Sequence, residues 1–283
     1  MARCGRINQQ PYKASQLFAL QRLTRQRFHL VKTISREKAY MMSNIYLKFS
    51  SLYTAKKEDE PFSDMFGNTS KSIISDFTPD DIVNMSDEDM INFVMEKGKS
   101  RFSNPEENVK LLKKIARDSY RLDKVAYDPI NVAISSSFNT IKALEDNLKV
   151  IDKAIEKNVK GLCDNEFTIL KSIPGIGDVY AAGIISEIGS IDFFEDNNAL
   201  AKYAGLTWRK TQSGYFEAET TRMTKTGNKY LRYYLIEAVS SVKNHSCEFK
   251  EFYTRKYNEV SRGAHKRALA LSARKLVRLI FGL

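Results

Sequence analysis

Residues 166–188 read EFTILKSIPGIGDVYAAGIISEI. Ile169, Leu170 and Ile173 recur at helical spacing before the break, and Val179, Ala182 and Ile185 after it, so two short apolar helices meet at Ile173-Pro174-Gly175-Ile176-Gly177. Pro174 fixes its own φ and ends the first helix, while Gly175 and Gly177 permit positive φ and a close backbone approach. The second helix begins at the hairpin, where its unpaired N–H groups and dipole favour an anion. In a basic chain this reads as a DNA-binding helix-hairpin-helix with Gly175 and Gly177 against a phosphate. The same pattern also suits an ordinary packing corner between two helices.

Charge separates those readings only in part. The chain has 283 residues, 45 Lys plus Arg against 34 Asp plus Glu, and a net charge of +11, a balance that predicts a polyanionic partner. The excess sits at the two ends: +9 over residues 1–55 and +10 over 206–283, with −6 over 56–110 between them. A hydrophobic fraction of 42% excludes wholesale disorder. No run of 18 apolar residues and no apolar leader core occurs, so a soluble, cytoplasmic protein is expected, without a membrane partner. Cys4, Cys163 and Cys247 have no Cys-x-x-Cys spacing, and neither a disulfide framework nor a zinc site is expected.

The expected fold class is mostly α: a long, coiled-coil-like helical stalk followed by a helix-hairpin-helix domain. A basic long helix occupies 1–55, with periodic apolar residues from Lys13 to about Ala55 and neither Pro nor Gly inside. An acidic insertion with short helices covers 56–104, where Thr78-Pro79-Asp80-Asp81 and Ser86 with Asp89 are helix starts. Return helices fill 105–163, the main one from Pro129 to about Val159 with a seam of Val132, Ile134, Phe138, Ile141, Leu144 and Leu148. A C-terminal domain spans 164–283. So long an amphipathic stretch needs a partner for its apolar stripe, which predicts a homo-oligomer or an intrachain pairing.

Within 207–226 the periodicity breaks and hydroxyls and cations concentrate. Ser213 lies in Gln212-Ser213-Gly214, between Arg209 and Lys210 on one side and Arg222 and Lys225 on the other. A serine attacking a phosphodiester needs such neighbours: cations stabilise the developing phosphorane charge, and a base or metal elsewhere takes the hydroxyl proton. A β-turn whose serine bonds its own backbone is the plainer reading. Lys225-Thr226-Gly227-Asn228 feeds a helix N-terminus and offers a phosphate seat at Gly227 and Asn228. His29, His245 and His265 lack carboxylates at triad spacing, and the basic ends hold no cluster of acids for a metal.

Five spaced segments together resemble a known family: SIPGIG (172–177), LAKYAGL (200–206), QSG (212–214), KTGNKYLR (225–232), and AHKRA (264–268) with ARKL (273–276). They are similar to the C-terminal domain of bacterial insertion-sequence transposases of the insertion sequence 110 family, related to Piv-type DNA invertases. The resemblance implies DNA transposition, with Ser213 as covalent nucleophile and Arg232, Lys266 and Arg267 joining the DNA- or phosphate-binding set. It also implies an Asp-Glu-Asp-Asp quartet binding Mg2+ in a RuvC-like domain, DNA and a guide RNA as partners, and multimers. The chain begins where that domain is expected to end, so no cofactor bound by this chain alone is expected and autonomous transposase activity is in question. The rival expectation is a non-enzymatic nucleic-acid-binding regulator or remnant that multimerises with full-length transposase; a plain coiled-coil protein is opposed by the basic C-terminal region.

Overall fold

A computed structural model describes residues 15–99, 101–160, 165–208 and 222–283, with the backbone of 212–213 and 216–217. The protein is mostly α. Its described residues form two compact units, one of residues 1–29 with 148–283 and one of residues 30–147. Two long helices, α1 (Ser15–Lys48) and α7 (Lys124–Lys160), contribute to both.

The 30–147 unit is built on capped short helices. After α1 come α2 (Ser50–Thr54), α3 (Asn68–Asp76), α4 (Pro79–Asn84), α5 (Asp87–Lys97) and α6 (Pro105–Asp118). Thr78 and Asp81 form a reciprocal capping box on α4, Ser86 caps α5 through the Asp89 N–H, and Asn104 caps α6 through that of Glu107. Each such cap satisfies an otherwise orphan helix donor and stabilises by about 1 kcal/mol. Lys38 pairs with Glu145 and Lys48 with Asn131, so within this unit α7 runs antiparallel to α1.

Two helix bounds differ from the sequence expectation. The first helix ends at Lys48 rather than near Ala55, because Phe49 leaves the helical region at φ −135° and ψ 75°. Tertiary bonds gather at the break: Lys48 Nζ donates to the Ile74 carbonyl and to Asn131 Oδ1, both at 2.6 Å, and the Ser51 N–H donates to Ser119 Oγ. Conversely, α7 starts five residues before Pro129. Proline there forfeits a single early hydrogen bond, a cost the following helix tolerates. Val132 does not belong to the seam, being 71% exposed; the buried line is Tyr127, Ile134, Phe138 and Ile141.

The other unit comprises residues 15–29 and 148–160, then α8 (Asn165–Lys171), α9 (Asp178–Ile188), α10 (Asn197–Tyr203), a small ribbon, α11 (Lys229–His245), α12 (Cys247–Asn258) and α13 (Ala264–Gly282). Its core is the face of α9 that carries Ala181, Ala182 and Ile184, packed with Leu231, Leu235, Ala238 and Val239 of α11 and Leu276 and Val277 of α13. Gly183 belongs to that packing, since a Cβ there would lie 2.4 Å from the Tyr234 ring. The stretch expected as an irregular loop contains paired backbone: β1 (Gln212–Ser213) runs antiparallel to β2 (Phe216–Glu217), with an isolated bridge between Trp208 and Met223. No described helix is long and apolar enough to cross a membrane.

Candidate nucleic-acid interface

Helices α8 and α9 flank Pro174 and Gly175. The two glycines between them do different work. Gly175 takes φ +96°, and a Cβ on it would lie 2.8 Å from the Val242 Cα and 3.0 Å from the Ser241 carbonyl carbon of α11. The close approach that this glycine permits is therefore to the protein's own helix. Gly177, expected at positive φ, is corrected to φ −92°: it is the extended N-cap of α9, and open space surrounds its would-be Cβ. Asp178 occupies the first turn of α9 and pairs with Lys171 at 2.5 Å. A carboxylate of the chain itself thus meets the positive end of that helix.

A second corner gathers more of the candidate residues, at the other end of α11. Helix α10 closes in a Schellman turn: Gly205 sits at φ +69°, the Leu206 N–H reaches the Ala201 carbonyl at 2.8 Å and the Gly205 N–H reaches that of Lys202. Across from it lies the 225–228 turn. Lys225 has φ +55° and Gly227 φ +124°, and a Cβ on Gly227 would come within 2.3 Å of the Tyr203 carbonyl oxygen. Arg232 clips the two turns together, its Nη1 donating to the Ala204 and Lys225 carbonyls, each at 3.0 Å. Burial lowers the pKa of that guanidinium. Arg232 therefore builds the corner.

Beneath this corner lies a residue that sequence reasoning passed over. Glu187, on the apolar face of α9, has a fully buried side chain. Arg25 donates to it through Nε at 2.7 Å and Nη2 at 2.9 Å, Gln21 adds a bond at 3.2 Å, and Asn228 Nδ2 another at 2.7 Å. Such a bidentate, charge-assisted pairing is strong where water is excluded. The Glu187 hydrogen bond, opposed by burial, holds the Arg25 guanidinium above its usual range. Asn228 simultaneously caps α11 through the Tyr230 and Leu231 N–H groups and reaches the Tyr203 hydroxyl. The Tyr230 ring is flanked by two cations, Arg25 at 4.5 Å and Lys229 at 5.0 Å. A lone acid in the run Ile184-Ile185-Ser186-Glu187-Ile188 was the available signal.

From the corner the chain enters and leaves the ribbon at a neck: the Thr224 N–H donates to the Thr207 carbonyl at 2.8 Å, and their hydroxyls meet at 3.0 Å. The backbone of Ser213 pairs with Phe216 at the far end of this ribbon. Its side chain, with Arg209 and Lys210, lies outside the described residues. Arg222 and Lys225 are exposed at the neck. Elsewhere, Lys266 is exposed in the first turn of α13, while Arg267 is engaged by Glu259 at 2.8 Å and by the Lys256 carbonyl.

The structure thus brings Arg222, Lys225, Gly227, Asn228 and Arg232 together and leaves Gly175 and Gly177 apart. The hairpin abuts α11 near Val242, fourteen residues or about 21 Å along the helix from Asn228. Among the described residues no three His, Cys, Asp or Glu side chains converge to hold a metal ion.

Comparison with known proteins places this corner. Residues 167–254 match the family model described as Transposase IS116/IS110/IS902 family. A curated relative, the insertion element IS116 uncharacterized 44.8 kDa protein of Streptomyces clavuligerus, is 25% identical over 141 residues. That match covers half of this chain and 34% of the relative, so the chain aligns with about a third of the relative's length. From α8 through the ribbon to α12, then, the chain is similar to the transposase IS116/IS110/IS902 family.

Proposed function

We propose that this chain acts in DNA transposition, with the corner formed by α10, the ribbon neck and α11 as its DNA contact and Ser213 as the nucleophile. The observation that carries the reading is the placement of the ribbon: inside the family-matched segment, the strand bearing Ser213 rises from a neck whose exposed residues include Arg222 and Lys225. The Glu187 hub bonds Asn228, three residues after Lys225, and so ties the turn beneath those cations to α9. Ser213 Oγ bonds to phosphorus as the P–O bond to the departing strand breaks, and the hydroxyl proton passes to a base supplied by a separate metal-bearing, RuvC-like domain. DNA, a guide RNA and further copies of the chain are the partners in this reading.

A non-catalytic DNA-binding role shares the same interface and differs only in the fate of Ser213. The interface itself is tested by duplex DNA binding as a function of salt. Each phosphate that a removed cation no longer neutralises should flatten the log–log slope by about 0.9, so Arg222→Ala with Lys225→Ala should lower it by close to two such steps. An unchanged slope in the double variant, with the fold intact by circular dichroism, would move the interface elsewhere. Light scattering tests self-association; a strict monomer at tens of micromolar would leave only intrachain pairing of the long helices.

A further inference from the structure

The segment 56–110 is acidic overall, with seven basic residues against thirteen acidic ones. Three of those seven, Lys97, Lys99 and Arg101, fall within five positions, and all three line one cavity of about 490 Å³. No Asp or Glu lines it. The loop between α5 and α6 forms one wall, with Phe102 and Ser103; the start of α3 forms another, through Gly67, Asn68 and Thr69.

Several observations point the same way. Helix α3 is nine residues long and its N-cap is Gly67, which offers no side-chain acceptor. Its first-turn N–H groups therefore stay available to a ligand. Thr69 is only 7% exposed and lines the cavity, and its hydroxyl is engaged in none of the hydrogen bonds between described residues, so it is open to a bound acceptor. Lys99 and Arg101 are exposed and have no carboxylate partner among the described residues; Lys97 has only its neighbour Glu96, at 3.4 Å. Lys99 also holds φ +52°, an uncommon backbone for a residue with a side chain.

From this arrangement we propose that the cavity between α3 and the α5–α6 loop binds a phosphate group of a nucleotide or a nucleic-acid strand. Cations at the rim supply long-range attraction, while the Thr69 hydroxyl and the α3 amides supply directional donors. The Phe102 ring closes on Gly98, whose would-be Cβ lies 2.3 Å from it, and gives the cavity an aromatic wall beside the cations. The site lies in the unit of residues 30–147, outside the family-matched segment, and its argument is independent of the Ser213 reading.

The test is calorimetric titration of the full chain with three probes: inorganic phosphate, AMP and a twelve-residue oligo-dT. Saturable one-to-one binding is expected, weakened by about tenfold or more in Lys99→Glu with Arg101→Glu, since two charge-assisted interactions disappear. Thr69→Val should weaken it severalfold and Thr69→Ser should restore it. The double variant Lys56→Glu with Lys57→Glu carries the same charge change away from the cavity and should stay within about twofold. AMP that competes with the oligonucleotide identifies a site open to free nucleotides, and an oligonucleotide that AMP and phosphate cannot displace identifies a strand site. No saturable binding of any probe at millimolar concentration would overturn the proposal. So would an unaffected Thr69→Val protein, or a loss in the Lys56/Lys57 control equal to that at Lys99 and Arg101.

Discussion

Removing the cation from the Glu187 hub tests the structural logic of the corner. In Arg25→Met the buried carboxylate keeps the amide donors of Gln21 and Asn228 and loses two charge-assisted bonds. Breaking a buried ion pair by deleting one partner costs about 3–5 kcal/mol. Arg25 is itself 34% exposed, so water screens part of the pair and the lower end of that range applies. The missing cation over the Tyr230 ring adds about 0.5–1 kcal/mol, giving about 3.5–4 kcal/mol in all. For a unit of this size that lowers the melting temperature by about 7–16 °C. Urea unfolding followed by fluorescence reads it directly, because Trp208 is the single tryptophan and stands at the base of the ribbon. A double-mutant cycle with Glu187→Gln separates the pair from its surroundings. A loss below about 1 kcal/mol, or strictly additive single effects, would refute the hub as the anchor of the ribbon neck.

Further outcomes follow from the same geometry. Gly175→Ala should destabilise by about 2 kcal/mol or more, from positive φ and a clash with the α11 backbone, whereas Gly177→Ala should cost under about 1 kcal/mol; equal effects by thermal unfolding would contradict the packing role of Gly175. Asn228→Ala should cost about 1–2 kcal/mol by removing both the cap and the Glu187 bond, and an unchanged denaturation midpoint would argue against it. Lys48, buried and without a carboxylate in direct contact, is lowered by burial to about 8 from 10.5. Between those two values the unfolded chain binds the extra proton, so stability should rise with pH, by about 3 kcal/mol across the interval. The rise should be absent in Lys48→Met; a parallel pH profile in that variant would assign the titration to other groups.

The legible parts of the fold were those set by local chemistry. The Thr78, Ser86 and Asn104 caps, the glycine turn after α10 and the Asn228 start of α11 each follow from side chains three or four residues apart. Long-range competition decided the rest. Nothing near Lys48 signals a helix end in the sequence, because the break depends on Ile74, Asn131 and Ser119, residues 26 to 83 positions away. Gly175 was legible as a position needing close approach, but what approaches is α11, whose place no local pattern reveals. Arg232 and Asn228 look from sequence like phosphate ligands. In the fold they are committed to carbonyls, a cap and Glu187, while Arg222 and Lys225, with Lys202 and Lys229, are exposed charges of that corner.

The central claim, that Ser213 attacks DNA, has one direct measurement. The chain is combined with a metal-bearing RuvC-like domain, guide RNA, DNA ends and magnesium, and any protein–DNA adduct is resolved on a denaturing gel and located by peptide mass mapping. The expected result is an adduct at Ser213 that disappears in Ser213→Ala while DNA binding persists. An adduct that survives in Ser213→Ala, or strand transfer at undiminished rate in that variant, would contradict it and leave Ser213 as a residue of the ribbon turn.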